Sequence, residues 1–263
     1  MIMHDLIVSL ESSPWILIII SIILGYLVGS ISTARCVYSV VTGSKDYLAF
    51  SEPIPHTDEH FESDLISATW VAKKLGGKYG CVTSVIDILK IAIPTLLFKL
   101  AFKSDPFFLL VAISGIAGHN YPLYYRFVGG RGESPSIGAI LVINWFGLFI
   151  ANGIASLLGY LTGSILVLRW GGYLILVIWF WVFFRDIYYV VFMVLANCLF
   201  WFSMRKDLLK FLELKRSRKL KFSEEEVSEF IHMGKSSGRF LDKYGLYFVL
   251  KRLIKRIKAR SGN

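Results

Sequence analysis

Charged residues are scarce in this sequence. Only 18% of the 263 residues are Asp, Glu, Lys or Arg, whereas 55% are hydrophobic and the mean hydropathy is +0.58. Soluble domains carry about 25% charged residues, so the composition excludes an ordinary soluble protein. Several apolar runs are close to or longer than the roughly 20 residues that a helix needs to cross a bilayer. The sequence therefore predicts a multi-pass membrane protein.

Cysteine is also rare. The three cysteines, Cys36, Cys81 and Cys198, lie far apart and form no CxxC pair. This spacing gives no basis for a disulfide framework, and no metal site is expected. Each cysteine lies inside or beside an apolar run, so we expect all three to be buried as small hydrophobic residues.

A cleavable signal peptide is not indicated at the N-terminus. The first apolar run, from Trp15 to Val41, is too long for one, and the segment before it carries Asp5 and Glu11 in place of basic residues. We therefore expect this run to be retained as a membrane span.

The apolar runs predict an all-α fold with about seven membrane-spanning helices. Two of them would be short and divided near Gly147, and six spans with one re-entrant segment remain an alternative. The polar segment 42–79 would be a long cytoplasmic loop. The predicted spans are residues 15–41, 80–102, 106–124, 135–147, 148–161, 164–183 and 186–204.

The excess of positive charge is confined to the C-terminal tail. Residues 205–263 contain 17 Lys and Arg against 7 Asp and Glu, a net charge of +10, whereas the first 204 residues balance to zero. This asymmetry predicts a cytoplasmic C-terminus at the cell membrane, facing anionic lipids. Nucleic acid is not expected as a partner, because the tail has no recognisable reader motif.

Two helices are predicted within the tail. Ser223 followed by three glutamates is typical of a capped helix start, since acidic residues favour the positive N-terminal end. The stretch "YGLYFVLKRLIKRIKAR" predicts a basic amphipathic helix at the membrane surface. Docking on a protein partner remains the alternative for this helix.

The stretch "GHNYPLYYRFVGGRGESPS" interrupts two apolar runs with a glycine-rich basic loop. Its "GGRG" segment can direct backbone amides at an anion. The apolar run that follows places the segment at a helix N-terminus, which attracts phosphate. Arg131 adds a forked cation suited to phosphate oxygens. A tight basic turn between spans, without a ligand, is the alternative.

Other polar residues lie near or within the spans. His119 is a candidate base or phosphate ligand, or it hydrogen-bonds the adjacent loop. Asp87 and Lys90 are three residues apart, hence on one helical face within a span. Ionisable groups in a membrane are candidates for function, and a structural ion pair is the alternative. Gly25 and Gly29 form a GxxxG step, which predicts a helix-packing surface.

Taken in order, three segments resemble the integral-membrane acyl-phosphate:glycerol-3-phosphate acyltransferases (PlsY-type). They are "LGYLVGSI", "SATWVAKKLGGKYG…DILK" and "GHNYPLYYRFVGGRG", and the likeness covers roughly residues 15–215. The resemblance implies seven spans and a cytoplasmic active site that transfers an acyl group from acyl phosphate to the 1-hydroxyl of glycerol 3-phosphate. It implies no metal or other cofactor. Residues 1–204 would form this acyltransferase-like domain, and 205–263 the tail.

The resemblance also assigns site residues. In the phosphate-binding set, Arg131 replaces the lysine of the family's second motif, and Lys73 replaces the arginine that follows its first motif. The phosphate-binding residues implied are Gly129, Gly130, Arg131, Gly132, Lys73 and Ser164. Asp87 and Lys90 would support the residues that contact the substrate.

The catalytic residues are less well matched to the family. Ser63 matches a serine of the first motif, whose glycines and asparagines are otherwise missing. At the end of the last span, Met204 replaces the family histidine and Asp207 the asparagine, with Arg205 kept between them. Ser63, His119 and Asp207 are therefore the catalytic candidates, with the substrate phosphate as a further possible base.

Two other functions stay open on the sequence. A silent member of the same fold would bind a phosphorylated lipid or headgroup without turnover. A small anion transporter would use the Asp87–Lys90 pair within the membrane.

Overall fold

The computed structural model describes residues 14–47, 50–53, 60–63, 65–103, 105–217, 223–230 and 235–260. These residues are almost entirely helical, as predicted. The helices are α1 (Pro14–Gly29), α2 (Thr33–Thr42), α3 (Ala68–Leu75), α4 (Gly77–Ala101), α5 (Phe107–Asn120), α6 (Glu133–Thr162), α7 (Ile165–Phe184), α8 (Ile187–Ser217), α9 (Glu224–Phe230), α10 (Lys235–Tyr244) and α11 (Leu246–Arg260).

Several helices are suited to crossing a membrane, so the predicted multi-pass helical fold is confirmed. Within the described residues, five helical stretches are long and apolar enough to do so. They are Pro14–Thr42, Gly77–Ala101, Glu133–Thr162, Ile165–Phe184 and Ile187–Lys206. The predicted span 106–124 corresponds to α5, which has only 14 residues and is largely buried. A short helix that is apolar on all sides is typical of a position inside a bundle.

The helix α6 is broken at Asn144, whose backbone is extended (φ −155°, ψ 84°). This break corresponds to the division predicted near Gly147. Carbonyl groups before the break lack intrahelical donors, and an apolar environment offers them no other hydrogen-bond donor. The ammonium group of Lys99 on α4 donates to the carbonyl oxygens of Val142 at 2.7 Å and Ile143 at 3.4 Å. A lysine within a membrane span therefore supplies the hydrogen bonds that these carbonyl groups lack at the break.

The GxxxG step of α1 packs against α5, as predicted. A Cβ atom added to Gly25 would overlap the side-chain oxygen of Ser114, and one added to Gly29 would overlap the carbonyl of Gly115. The two backbones therefore approach closely only because both positions lack side chains.

The chain divides into two compact units. Among the described residues, the first consists of those within Met1–Pro53, Glu59–Trp145 and Phe184–Met204, and the second of those within Phe146–Phe183 and Arg205–Asn263. The first unit contains α1 to α5, the start of α6 and the membrane part of α8. The second contains the rest of α6, α7 and the tail helices.

The tail contacts the turn between α6 and α7 within the second unit. The carboxylate of Glu224 accepts a hydrogen bond from the backbone N–H of Ile165 at 2.8 Å, and Phe248 packs against Gly163. The predicted cap of α9 is confirmed, since Ser223 Oγ accepts from Glu226 N at 3.2 Å. The predicted amphipathic helix is α11.

Two features depart from the sequence predictions. The described free cysteines Cys36, Cys81 and Cys198 are exposed, so the prediction that they are buried is wrong. Outward faces of membrane helices are themselves apolar, and apolar neighbours therefore do not imply burial. The segment predicted as a polar loop contains a two-stranded antiparallel ribbon, β1 (Phe50–Pro53) paired with β2 (His60–Ser63).

Candidate functional site

The glycine-rich loop leads directly into a helix N-terminus, as the sequence predicted. We call residues 129–132 the glycine cradle. Gly132 has a positive φ of 80°, and its carbonyl accepts from the N–H of Ser136 at 2.9 Å, in the first turn of α6. The first N–H groups of a helix lack intrahelical partners and lie at its positive end. The cradle therefore lies where an anion is favoured.

The cradle is seated on the C-terminal end of α5. The N–H of Gly130 donates to the carbonyl oxygen of His119 at 3.1 Å. A Cβ atom on Gly129 would overlap that carbonyl, one on Gly130 the imidazole ring, and one on Gly132 the side-chain oxygen of Asn120. The three glycines are therefore required because the loop approaches α5 too closely for any side chain.

The cradle is also hydrogen-bonded to α8. Arg131 is 7% exposed, and its carbonyl oxygen accepts a hydrogen bond from Ser203 Oγ at 3.2 Å. The side-chain amide of Asn120 donates to the carbonyl oxygen of Leu199 at 3.1 Å. Ser203 directly precedes Met204, which is 2% exposed. The segment that resembles the family's last motif therefore meets the second-motif loop, as a shared site requires.

Asp87, Lys90 and His119 form a largely buried polar cluster beside the cradle. Lys90 Nζ lies 2.8 Å from Asp87 Oδ1 and 3.0 Å from His119 Nδ1, and His119 Nδ1 is 3.5 Å from the same carboxylate oxygen. Lys90 also donates to the carbonyl oxygen of Ile31 at 2.9 Å, and Ile31 lies in the short connection between α1 and α2. The prediction that Asp87 and Lys90 share a face is confirmed. The imidazole of His119 is enclosed between this pair and Gly130. This position suits a structural role in which His119 supports the loop.

The segment before the cradle contacts the end of α1 and the start of α2. The hydroxyl of Tyr26 donates to Tyr121 O at 2.7 Å, and the N–H of Leu123 donates to Ser30 Oγ at 3.3 Å. Arg35 donates to Val128 O at 2.9 Å. Sequence reasoning missed these residues, although an arginine inside an apolar run was a signal that could have identified Arg35.

Two buried side-chain oxygens at the cradle have no hydrogen-bond partner among the described residues. They are the side-chain oxygens of Asn120, which is 2% exposed, and Ser136, which is 1% exposed. Leaving a buried polar group unsatisfied costs about 1–3 kcal/mol. A ligand with donor and acceptor oxygens would recover this free energy.

The remaining predicted site residues lie elsewhere in the chain. Lys73 is exposed on α3, and Ser63 is the last residue of β2 with its side chain outside the described part of the structure. Ser164 and Asp207 belong to the second unit. Ser164 precedes α7, and Asp207 lies on α8 with its side chain likewise outside the described residues.

The chain is similar to known proteins both in sequence and in fold. Residues 19–213 match the family model of the glycerol-3-phosphate acyltransferases. A curated glycerol-3-phosphate acyltransferase of Lactiplantibacillus plantarum is 34% identical over 155 residues, which cover 57% of this chain and 67% of the relative. One of Legionella pneumophila strain Corby is 32% identical over 136 residues, covering 51% of this chain but only 45% of that protein. The chain belongs to the glycerol-3-phosphate acyltransferase family.

Solved structures share the fold. A crystal structure of PlsY, an integral membrane glycerol 3-phosphate acyltransferase, in its glycerol 3-phosphate form superposes with a TM-score of 0.60 at 19% identity. The match covers 80% of this chain and 98% of PlsY. The lysophosphatidic acid form gives a TM-score of 0.55 at 20% identity, covering 74% and 91%. These similarities show a PlsY-like membrane fold.

Proposed function

We propose that this protein transfers a fatty acyl group from acyl phosphate to the 1-hydroxyl of glycerol 3-phosphate. The products are lysophosphatidic acid, a precursor in phospholipid biosynthesis, and inorganic phosphate. The observation that carries the proposal is the glycine cradle, seated on His119 and Asn120 at a helix N-terminus within a chain of this family. No cofactor takes part in the proposed reaction.

The cradle and Arg131 bind phosphate in this proposal. The N-terminus of α6 and the cradle amides other than that of Gly130, whose N–H donates to His119, supply fixed partial charges, and the Arg131 guanidinium supplies paired donors for phosphate oxygens. The hydroxyl of Ser136 and the amide oxygen of Asn120 provide the donor and acceptor that phosphate and glycerol hydroxyls need. Asp87, Lys90 and His119 hold the cradle in place.

The transfer is a substitution at the acyl carbonyl carbon. The 1-hydroxyl oxygen forms a bond to that carbon, the bond from carbon to the phosphate oxygen breaks, and phosphate leaves. The hydroxyl proton passes to a phosphate oxygen, which makes the substrate its own base. Positive groups and amides that face the developing negative charge lower the barrier. The enclosed imidazole of His119 favours this route over a histidine base.

Four further residues are proposed as site residues on the family resemblance alone. Lys73 and Ser164 would contribute to phosphate binding, and Ser63 and Asp207 to the transfer. Each is a separate proposal that substitution can test.

The tail and its orientation complete the proposal. Residues 1–204 would form the acyltransferase-like domain in the cell membrane, and the tail 205–263 would lie in the cytoplasm. On α11, Leu250, Leu253 and Ile257 are exposed beside Lys251 and Arg252. This combination suits an interfacial helix on anionic lipids.

Binding measurements on purified protein test the phosphate site. Wild type should bind radiolabelled glycerol 3-phosphate or acyl phosphate, and Arg131→Ala should bind at least about tenfold more weakly, since a charged hydrogen bond contributes about 1.5–3 kcal/mol. Lys103→Ala is the matched control, because it removes an exposed cation from another loop. Equal binding by wild type and Arg131→Ala would refute the site.

One substitution separates an active enzyme from a silent binding member. Met204 is buried where the resemblance places a histidine. Wild type that binds both substrates but forms no lysophosphatidic acid would refute the proposed transfer. If Met204→His then formed lysophosphatidic acid, the inactivity of wild type would be assigned to position 204.

A further inference from the structure

We propose that Arg35 positions the glycine cradle by clamping the strained segment that precedes it. This inference rests on the proposed function, because it concerns how the same phosphate site is held in shape. Arg35 lies outside the three segments that resemble the family.

The side chain of Arg35 is buried and makes four contacts around its guanidinium. It is 6% exposed. One terminal nitrogen donates to Val128 O at 2.9 Å, and the other donates to Ser32 Oγ at 3.2 Å. The guanidinium carbon lies 4.3 Å from the ring centroid of Tyr125 and 5.6 Å from that of Tyr47. Burial raises the pKa of the Tyr125 phenol, so this ring is neutral at physiological pH.

The backbone between Tyr125 and the cradle is strained. Arg126 and Phe127 have positive φ angles of 52° and 62°. Residues with side chains adopt this left-handed region only at a cost in free energy, and two in succession are unusual. Such a conformation persists only where the surrounding contacts determine it, and it is characteristic of functional sites.

Arg35 supplies those contacts on both sides of the strained pair. It stacks on Tyr125 before the pair and bonds the carbonyl of Val128 after it. Val128 is the residue next to Gly129, so the same hydrogen bond fixes the entry to the cradle. Lysine could not do this, because one ammonium group lacks the planar fork that stacks on an aromatic ring while donating in two directions.

The arrangement accounts for a buried arginine in an otherwise apolar segment. An ionisable group within a span is costly and is retained where it serves the site. Here the positive charge lies next to a loop that is proposed to hold phosphate, so its field also favours the anion. The main role is geometric, because the hydrogen bond goes to the loop backbone.

Two readouts on Arg35→Met, Arg35→Lys and wild type test the clamp. The first is hydrogen–deuterium exchange of the backbone amides over residues 121–132 in detergent or nanodiscs. The second is the KM for glycerol 3-phosphate separated from kcat. Thr95→Val is the control, because it removes a different buried polar group, a hydroxyl bonded to Ile91 O, from the same unit.

We expect Arg35→Met to increase exchange over residues 121–132 and to raise the KM about tenfold with a smaller change in kcat. Arg35→Lys should give intermediate values, and Thr95→Val should leave exchange in this segment unchanged. Unchanged exchange in folded Arg35→Met protein, or an equal increase across all helices, would overturn the clamp. If Arg35→Met does not fold, exchange in Arg35→Lys decides in the same way.

The exchange result does not depend on enzymatic activity. Inactive wild type would refute the proposed acyl transfer, yet faster exchange in the Arg35 variants would still support the clamp. Active wild type with unchanged exchange would refute the clamp alone.

Discussion

The ammonium nitrogen of Lys90 lies 3.0 Å from Nδ1 of His119. The same nitrogen forms an ion pair with Asp87 one turn earlier on α4. A single lysine, whose side chain is only 9% exposed, thus joins α4 to the end of α5, on which the glycine cradle rests.

The Asp87–Lys90 pair should behave as a coupled unit. Removing one partner leaves an uncompensated buried charge, which costs about 3–5 kcal/mol, whereas removing both relieves that penalty. Asp87→Asn and Lys90→Met should each lower the melting temperature in detergent. The double variant should lose less stability than the sum of the two. Additive losses would show that the pair is not coupled.

Gly130 should not tolerate a methyl group. In Gly130→Ala the new Cβ would overlap the His119 imidazole, so the cradle must move. We expect kcat/KM for acyl transfer to fall at least about tenfold, which corresponds to 1.4 kcal/mol of transition-state stabilisation. Gly153→Ala on α6 is the control, because nothing lies within 4 Å of its added Cβ. An equal effect of both substitutions would contradict a specific role for Gly130.

Lys99 should stabilise the break in α6. Lys99→Met removes the donor to Val142 O and Ile143 O, and an unsatisfied buried carbonyl costs about 1–3 kcal/mol. The melting temperature should fall, whereas Lys103→Met in the exposed loop should have little effect. A Lys99→Met protein as stable as wild type would mean that the break needs no donor from α4.

Glu224 should hold the tail to the start of α7. In Glu224→Gln the negative charge at this helix N-terminus is lost, an interaction that contributes about 0.3–1 kcal/mol. Hydrogen–deuterium exchange in α9 and α10 should increase, whereas the exposed Glu213→Gln control should leave it unchanged. Unchanged exchange in Glu224→Gln would show that the carboxylate does not anchor the tail.

Local patterns in the sequence predicted a large part of this fold. Apolar run length predicted the membrane helices, the GxxxG step predicted the contact of α1 with α5, and Ser223 predicted the start of α9. The glycine-rich loop was predicted to open a helix, and it leads into α6. Each of these features depends on residues close together in the sequence.

The missed features depend on distant contacts. Arg35 and Val128 are 93 residues apart, and Lys99 reaches a carbonyl 43 residues away. No local spacing indicates such pairs. The cysteines were misjudged for a different reason, since an apolar neighbourhood implies burial in a soluble protein but not in a membrane helix.

Acyl transfer by the purified protein is the most direct test of the central claim. The protein should be incubated with acyl phosphate and radiolabelled glycerol 3-phosphate, in parallel with its Arg131→Ala form. The account predicts lysophosphatidic acid and inorganic phosphate in equal amounts from wild type, with at least about a tenfold loss in Arg131→Ala. Folded wild type that binds acyl phosphate but forms no product, or product formation that Arg131→Ala leaves unchanged, would contradict it.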